Sequence, residues 1–449
     1  MNLTVEFTSR GAGLFFGTLL FLMASLSLLR TVVVPRYLRS VITDGVLVAV
    51  VGISRLVARI GRTYLRRDAA LAWAGPLIII ALLITWLLIY ILAYGLLIHG
   101  FSGEPLGDAL RESGSSLLTL GFANDNSSND ATLLDFLAAA TGPVVIALMI
   151  GYLPTIYQTY IDREVQVTIM APAAGEPAWG PEFLSRMCLT KSIADLPVHL
   201  ASWAPWAAKL RMTHITYPML MYVRSGRGTR HFLVSLLTAM DASALLIALN
   251  TSLPRTPCYV TLQHGSDAVQ TLYVYFGAKQ PRVYYLPFRS IWLRKYKHLQ
   301  PLSASQLKVP ARDAQIAAVH EAAAADASKA LAASGLIGLL DAEKLTTTLT
   351  REEFDYAVDI LRRSDFPIEV PIEDAWEMFR ATRATYEYPI YALMRKLDAT
   401  PAPWSGPRNF ATPTMWPTLA IDVFEQDARA SAKSPDGSST PPAPDAPHQ

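Results

Sequence analysis

LAWAGPLIIIALLITWLLIYILAYGLLI, residues 71–98, contains no charged residue. A bilayer core is crossed by about 20 apolar residues in a helix, so this run predicts a membrane span. Its flanks differ in charge. Before it come Arg36, Arg39, Arg55, Arg59, Arg62, Arg66 and Arg67; after it come Glu104, Asp108, Glu112, Asp125 and Asp130 against a lone Arg111. Basic loops are retained in the cytoplasm, so the basic juxtamembrane segment 36–69 is expected inside and the acidic loop outside. Two further runs, 11–34 and 131–160, are long and apolar enough to cross. The first lacks the basic start and small-residue cleavage site of a signal peptide and reads as a retained anchor, domain 1–35. The chain then starts outside, crosses in, out and in again, and leaves everything after about residue 160 in the cytoplasm.

The totals agree with a chain that lies partly in lipid. Of 449 residues, 51% are hydrophobic and 17% charged, against about 25% charged in soluble domains. The formal net charge of +2 gives no ground for a nucleic-acid partner. Cys188 and Cys258 make neither a disulfide framework nor a metal-ligand pair; core packing in a reducing compartment suits them. The segment 40–58, SVITDGVLVAVVGISRLVA, is either a further span or a basic amphipathic helix on the inner leaflet, and Asp44 and Arg55 favour the second.

The outer loop carries EPLGDALRESGSSLLTL, 104–120. Pro105 and the acidic residues suit a helix start, and Leu106, Leu110, Leu117 and Leu118 give it an apolar side. It is too short to cross, so it is expected to dip into the membrane and return, which irregular backbone does only beside protein or a wet path. Thr119-Leu120-Gly121-Phe122-Ala123 follows, then a third span with Gly142-Pro143, Gly151 and Pro154.

Outer helix, short helix, Thr-x-Gly-aromatic and a glycine-bearing inner helix together resemble the pore of potassium channels. The resemblance covers residues 70–160, about a fifth of the chain, as a pore domain. It implies that Thr119, Leu120, Gly121, Phe122 and Ala123 line a selectivity filter, where backbone carbonyls and the threonine hydroxyl replace the water shell of a potassium ion. It implies that the aromatic packs behind the filter. Alternating backbone handedness aims successive carbonyls at one axis, and glycine adopts it at little cost. The pattern departs at Ala123, where the family has a second filter glycine. Asp125, Asp130 and Asp135 either concentrate cations at the mouth, Asp125 foremost, or are ordinary charges of a wet loop, the reading favoured for Asp130. Gly142 and Pro143 are either a gating hinge or a close helix contact. One filter strand cannot surround an ion, so a homotetramer is expected.

The remainder, 161–425, reads as a mostly α-helical cytoplasmic domain. Strong helix formers fill 313–334, and 350–364 and 372–397 keep apolar residues at helical spacing. The stretch 256–277 fits a hairpin or a helix. HFLVSLLTAMDASALLIALN, 231–250, is apolar enough to span, but Asp241 at its centre favours a buried helix of a soluble bundle. RSGRGTR, 224–230, suits an anion or an exposed loop; His214 and His264 read as packing histidines; and 288–299 either touches the inner leaflet or is a solvated helix face. The tail 426–449 is rich in Pro, Ser and Asp and is expected to be disordered.

The fold class expected is therefore an all-α membrane protein: an N-terminal span, a helix–pore loop–helix unit and a helical cytoplasmic domain. Its function would be that of a potassium-conducting channel in the cell membrane, gated from the cytoplasmic side. Its partners would be potassium or other monovalent cations, the lipid bilayer and further copies of the chain. Beyond potassium in the filter no cofactor or metal is expected, and no enzyme motif is present. A non-conducting relative, in which the pore fold anchors a sensor or scaffold, is the second reading, and Ala123 favours it.

Overall fold

The computed structural model describes residues 3–34, 40–122, 129–277 and 347–405. They are helical, with no strand among them. Ala123, Asp125, the helix expected over 313–334, the basic stretch 288–299 and the C-terminal tail lie outside the described residues. Five helices are long and apolar enough to cross a membrane, which marks a multi-pass membrane protein.

Helix α1 (Leu3–Leu28, prolonged by a π turn, Leu29–Val33) lies along α4 (Ala74–Ser102). Small residues bring the two backbones together: a Cβ on Gly17 would stand 2.9 Å from the Ala93 carbonyl oxygen. Polar side chains tie them across the apolar contact. Trp86 Nε1 donates to Ser27 Oγ (3.0 Å), and Ser25 Oγ meets Tyr90 Oη (3.0 Å). In lipid such groups have no water to turn to, so they pair between helices.

Helix α2 (Val41–Ala58) is capped by Ser40, whose hydroxyl also bonds Ser27 Oγ at the level of Trp86. Its other end, Val51 and Arg55, lines a crevice with Leu71 and Ala74. It therefore accompanies only the Ala74–Trp86 part of α4, roughly 18 Å at 1.5 Å per residue. That is about half of a ~30 Å bilayer core. By length and apolarity α2 is nevertheless one of the five helices able to cross, and its outward residues Val41, Val48, Ile53 and Leu56 are exposed. Thr43, Leu47, Val51, Ser54 and Ala58 form its buried stripe. A short helix, α3 (Tyr64–Ala72), leads into α4.

Helix α5 (Leu106–Leu117) turns back along the Ser102 end of α4. Leu110 packs on Gly95, and Ser113 Oγ donates to the Ile91 carbonyl (2.8 Å). The helix thus descends about 11 residues of α4, roughly 16 Å, and stops. Helix α6 (Asn129–Ala174) then runs the whole way. It has 46 residues, roughly 69 Å, more than twice a bilayer core. Its first part packs on α4 through Ala138, Val145, Met149, Tyr152 and Ile156; its last part, Val167, Met170 and Ala174, enters the core of the helical domain.

That domain contains α7 (Gly180–Leu189), α8 (Leu196–Ala201), α9 (Trp203–Thr216), α10 (Phe232–Leu249), α11 (Thr256–Leu272), α12 (Arg351–Arg363), α13 (Ile372–Ala384) and α14 (Glu387–Leu397). The stretch 256–277 is helical, α11 ending in a π turn, and not a hairpin. Every residue of α10 is buried by the chain itself. Asp241 on α10 takes Arg383 at 3.0 Å and the Tyr386 hydroxyl at 2.7 Å; Arg383 also grips Glu387 at 2.7 Å and the Trp404 carbonyl at 2.6 Å. A charge is tolerated in a core only when paired and hydrogen-bonded, so α10 is the centre of a bundle whose buried aspartate has its partners. Cys188 and Cys258 are free thiols, half-buried and buried.

The domain meets the membrane helices at the Ala74 end of α4. Arg67 holds both oxygens of Asp398 (2.8 and 2.9 Å), and Arg224 pairs with Asp68 (3.0 Å) while donating to the Asp398 carbonyl (2.8 Å). Arg227 and Arg230 of RSGRGTR pair with Glu176. All three arginines of that loop therefore have a carboxylate of the chain within 4 Å.

Candidate functional site

The turn after α5 has unusual backbone. Thr119 has φ +54° and Gly121 has φ +71°. Two alternate residues thus lie in the left-handed region, which costs an L-residue such as Thr119 roughly 1–2 kcal/mol and glycine little. The chain holds this shape through Ser115, which is buried: its carbonyl accepts from Leu120 N (2.8 Å) and its hydroxyl from Phe122 N (3.1 Å). Thr119 Oγ1 donates to the Leu118 carbonyl (2.8 Å). Phe122 is 55% exposed, and the Arg111 guanidinium lies 5.6 Å from its ring centroid. Within one chain, then, a cation–π contact from α5 covers the ring, where the family resemblance implied aromatic packing behind the filter.

Two of the expected mouth carboxylates fall in or beside the undescribed stretch, Asp125 and the side chain of Asp130. Asp135 is described, and it accepts the Ser116 hydroxyl at 2.7 Å. It ties α5 to α6. Glu112, buried on α5, interacts with the same aspartate.

Gly142 is buried where α5 ends on α6, and a Cβ there would stand 1.8 Å from the Leu117 carbonyl oxygen. The helix runs unbroken through it and through Pro143 and Pro154. Of the two readings of Gly142, close contact has a direct geometric reason. Pro143 is exposed and leaves the carbonyl one turn before it without its helical donor.

The side of α6 turned away from α4 bears Ala140, Pro143, Ala147, Gly151, Pro154 and Gln158, at three- and four-residue spacing and all exposed. These side chains are small or polar, and Val144, 55% exposed, lies beside Ala140 and Ala147 at the edge of the strip. The flanks are bulkier, with Ile146, Ile150, Leu153 and Tyr157 exposed on one of them.

Where α6 leaves the membrane region, Arg163 is fully enclosed. It donates to the carbonyls of Leu220 (2.9 Å) and Val223 (2.8 Å), pairs with Glu164 (2.8 Å) and stacks 4.6 Å over Phe232. Its Nη1 also lies 3.3 Å from His214 Nε2, and His214 Nδ1 is 2.9 Å from the Leu210 carbonyl. The arrangement assigns a neutral ring, Nδ1–H donating and Nε2 accepting. Burial, then the Arg163 charge, hold the His214 pKa well below its ordinary value. His264, by contrast, is exposed.

The sign of the acid response follows. Below about pH 6.5 the unfolded chain binds a proton at this histidine that the folded chain refuses, so stability falls by about 1.4 kcal/mol per further pH unit. Thermal unfolding of the solubilised protein across mildly acidic buffers is expected to show this slope, and His214→Gln is expected to flatten it. An equally steep slope in the variant would remove His214 as its source.

The chain matches no family model, no curated protein and no solved structure. Among the described residues no group of His, Cys, Asp or Glu is arranged to hold a metal ion. Sequence reasoning missed Ser115, Arg111, Glu112 and Arg163. For Ser115 a signal existed, its place one helical turn before Thr119; for Arg163 none did, because the carbonyls and the histidine it meets lie 51 to 60 residues away.

Proposed function

We propose that four copies of this chain form a cation channel of the potassium-channel class in the cell membrane, with the helical domain in the cytoplasm. The observation that carries the reading is the turn Thr119–Phe122. It sits at the end of a helix that enters between α4 and α6 without crossing, and it has left-handed backbone at alternate residues. That alternation is what directs successive carbonyls to one side, as ion coordination by backbone oxygens requires. The short-side-chain strip of α6 gives further support, since a strip without bulky residues suits a narrow wet path better than lipid. One turn per chain cannot enclose an ion, so the site is complete only with other copies. The continuous α6 would carry motion of the helical domain to the path.

The second reading, a non-conducting anchor for the helical domain, is favoured by Ala123 in place of the second filter glycine. Flux separates the two. Liposomes holding the protein are expected to take up potassium faster than sodium, and Gly121→Asp is expected to abolish uptake, because an aspartate at φ +71° strains the turn and puts a charge on it. Uptake of neither ion by a correctly assembled tetramer, with the helical domain removed by proteolysis after α6 as well as with it present, would leave the anchor reading.

A further inference from the structure

The described arginines of the basic segment divide into two groups. Arg55 donates to the Lys396 carbonyl and Arg67 holds Asp398. Both fasten the helical domain to the membrane helices. Arg59, Arg62 and Arg66 are exposed at the elbow between α2 and α3. Among the described residues no side chain pairs with their guanidinium groups, and the nearby carboxylates are engaged elsewhere, Asp68 by Arg224 and Asp398 by Arg67. Beside these three arginines stand Leu56, Ile60 and Leu65, which are 64, 82 and 58% exposed.

Water suits the guanidinium groups but not the aliphatic ones, and hydrocarbon the reverse. A surface that alternates the two is matched by an amphiphile, with an anionic head and acyl chains. A soluble phosphate or a nucleic acid would leave the leucines and the isoleucine in water. The elbow lies at the Ala74 end of α4, where the apolar run begins, and so at the depth of lipid phosphates. Beside it opens the crevice lined by Val51, Arg55, Leu71, Tyr222 and Arg224.

We propose that Arg59, Arg62 and Arg66, interleaved with Leu56, Ile60 and Leu65, form a binding site for the phosphate headgroup of an anionic phospholipid in the leaflet facing the helical domain. The site rests on the membrane placement of α4 and is independent of conduction. Its position next to the Arg67–Asp398 pair makes lipid charge an influence on how the domain is held.

The test is lipid retention by the full-length protein in detergent, read by native mass spectrometry against phosphatidylglycerol and phosphatidylcholine. Phosphatidylglycerol is expected to bind in preference. Each arginine near a charged lipid surface contributes roughly five-fold in affinity, so each single change to Gln is expected to weaken it about five-fold and R59Q/R62Q/R66Q by about 100-fold. Added salt should weaken it in the wild type and hardly at all in the triple variant. An unchanged melting temperature of the triple variant shows that loss of lipid is not loss of fold. Equal retention of the two lipids, an undiminished preference in the triple variant, or displacement of the lipid by inorganic phosphate at equal concentration would each overturn the proposal. Flux need not be measured, so its absence does not bear on this result.

Discussion

Gly142→Ala is expected to lower the stability of the solubilised protein by about 3 kcal/mol or more, at the top of the range for overpacking, or to prevent its accumulation altogether. The added methyl would stand 1.8 Å from the Leu117 carbonyl oxygen. A flexible side chain gives way by changing rotamer; a backbone oxygen at the end of α5 moves only with the helix. Yet α5 is held on its other side by Ser113 to Ile91 and Leu110 on Gly95. Leu117→Ala should therefore not rescue the variant, because it removes the side chain and leaves the carbonyl. Gly151→Ala is the control. Nothing lies within 4 Å of its added carbon, and alanine is a better helix former than glycine by about 1 kcal/mol, so its unfolding midpoint should hold or rise. If Gly142 served only as a bend, the two variants would be equally well folded and would differ in flux alone. Matched midpoints would thus return Gly142 to a hinge role.

The parts of this fold that hydropathy reports were legible before the structure. The run 71–98 is α4, and Asp241 marks 231–250 as a helix that stays in a protein core, because a lone carboxylate in lipid has no partner and this one has Arg383. That the polar loop holds a helix too short to cross was legible as well, and α5 has 12 residues. Hydropathy failed where a helix continues after its apolar stretch ends. The run 131–160 gave the bilayer part of α6 but not the further turns to Ala174, whose pattern is set by packing in the helical domain. The choice between hairpin and helix for 256–277 turned on burial of Cys258, Thr261, Leu262, Gly265 and Val269 on one face, with β-branched residues that weaken any local preference. Contacts across long chain separations left no local mark at all. Nothing near Arg224 announces Asp68, and nothing near Arg163 announces the carbonyls it satisfies.

Arg163→Met is expected to be the second severe change, and its consequences should spread from stability to coupling. The guanidinium is enclosed and its partners are fixed backbone oxygens of the segment 218–223, itself wedged against the base of α4 by Val223 on Gly75 and against α6 by Met219 under Tyr152. Methionine fills the space of the aliphatic stem and donates nothing. The Val223 carbonyl, Glu164 and His214 Nε2 would lose the guanidinium donor, the Leu220 carbonyl would keep only the Val223 N–H at 3.3 Å, and removing one member of a buried charged network costs about 3–5 kcal/mol. Arg163→Lys keeps the charge but replaces a planar fork by one ammonium, which cannot reproduce the separate Nη1 and Nη2 bonds to the two carbonyls; an intermediate loss is expected. The histidine supplies an internal check. Without the Arg163 charge beside it, His214 should titrate at a higher pH, so the variant's acid slope would level off at a less acidic pH than that of the wild type. If Arg163→Met melts as the wild type does and keeps the wild-type acid profile, the residue is not the fastening of α6 to the helical domain. If it melts early while the membrane helices stay protected from protease, the loss lies where the geometry puts it. A long helix then remains in the bilayer but no longer transmits what happens in the domain below, and in a conducting assembly flux would cease to respond to that domain.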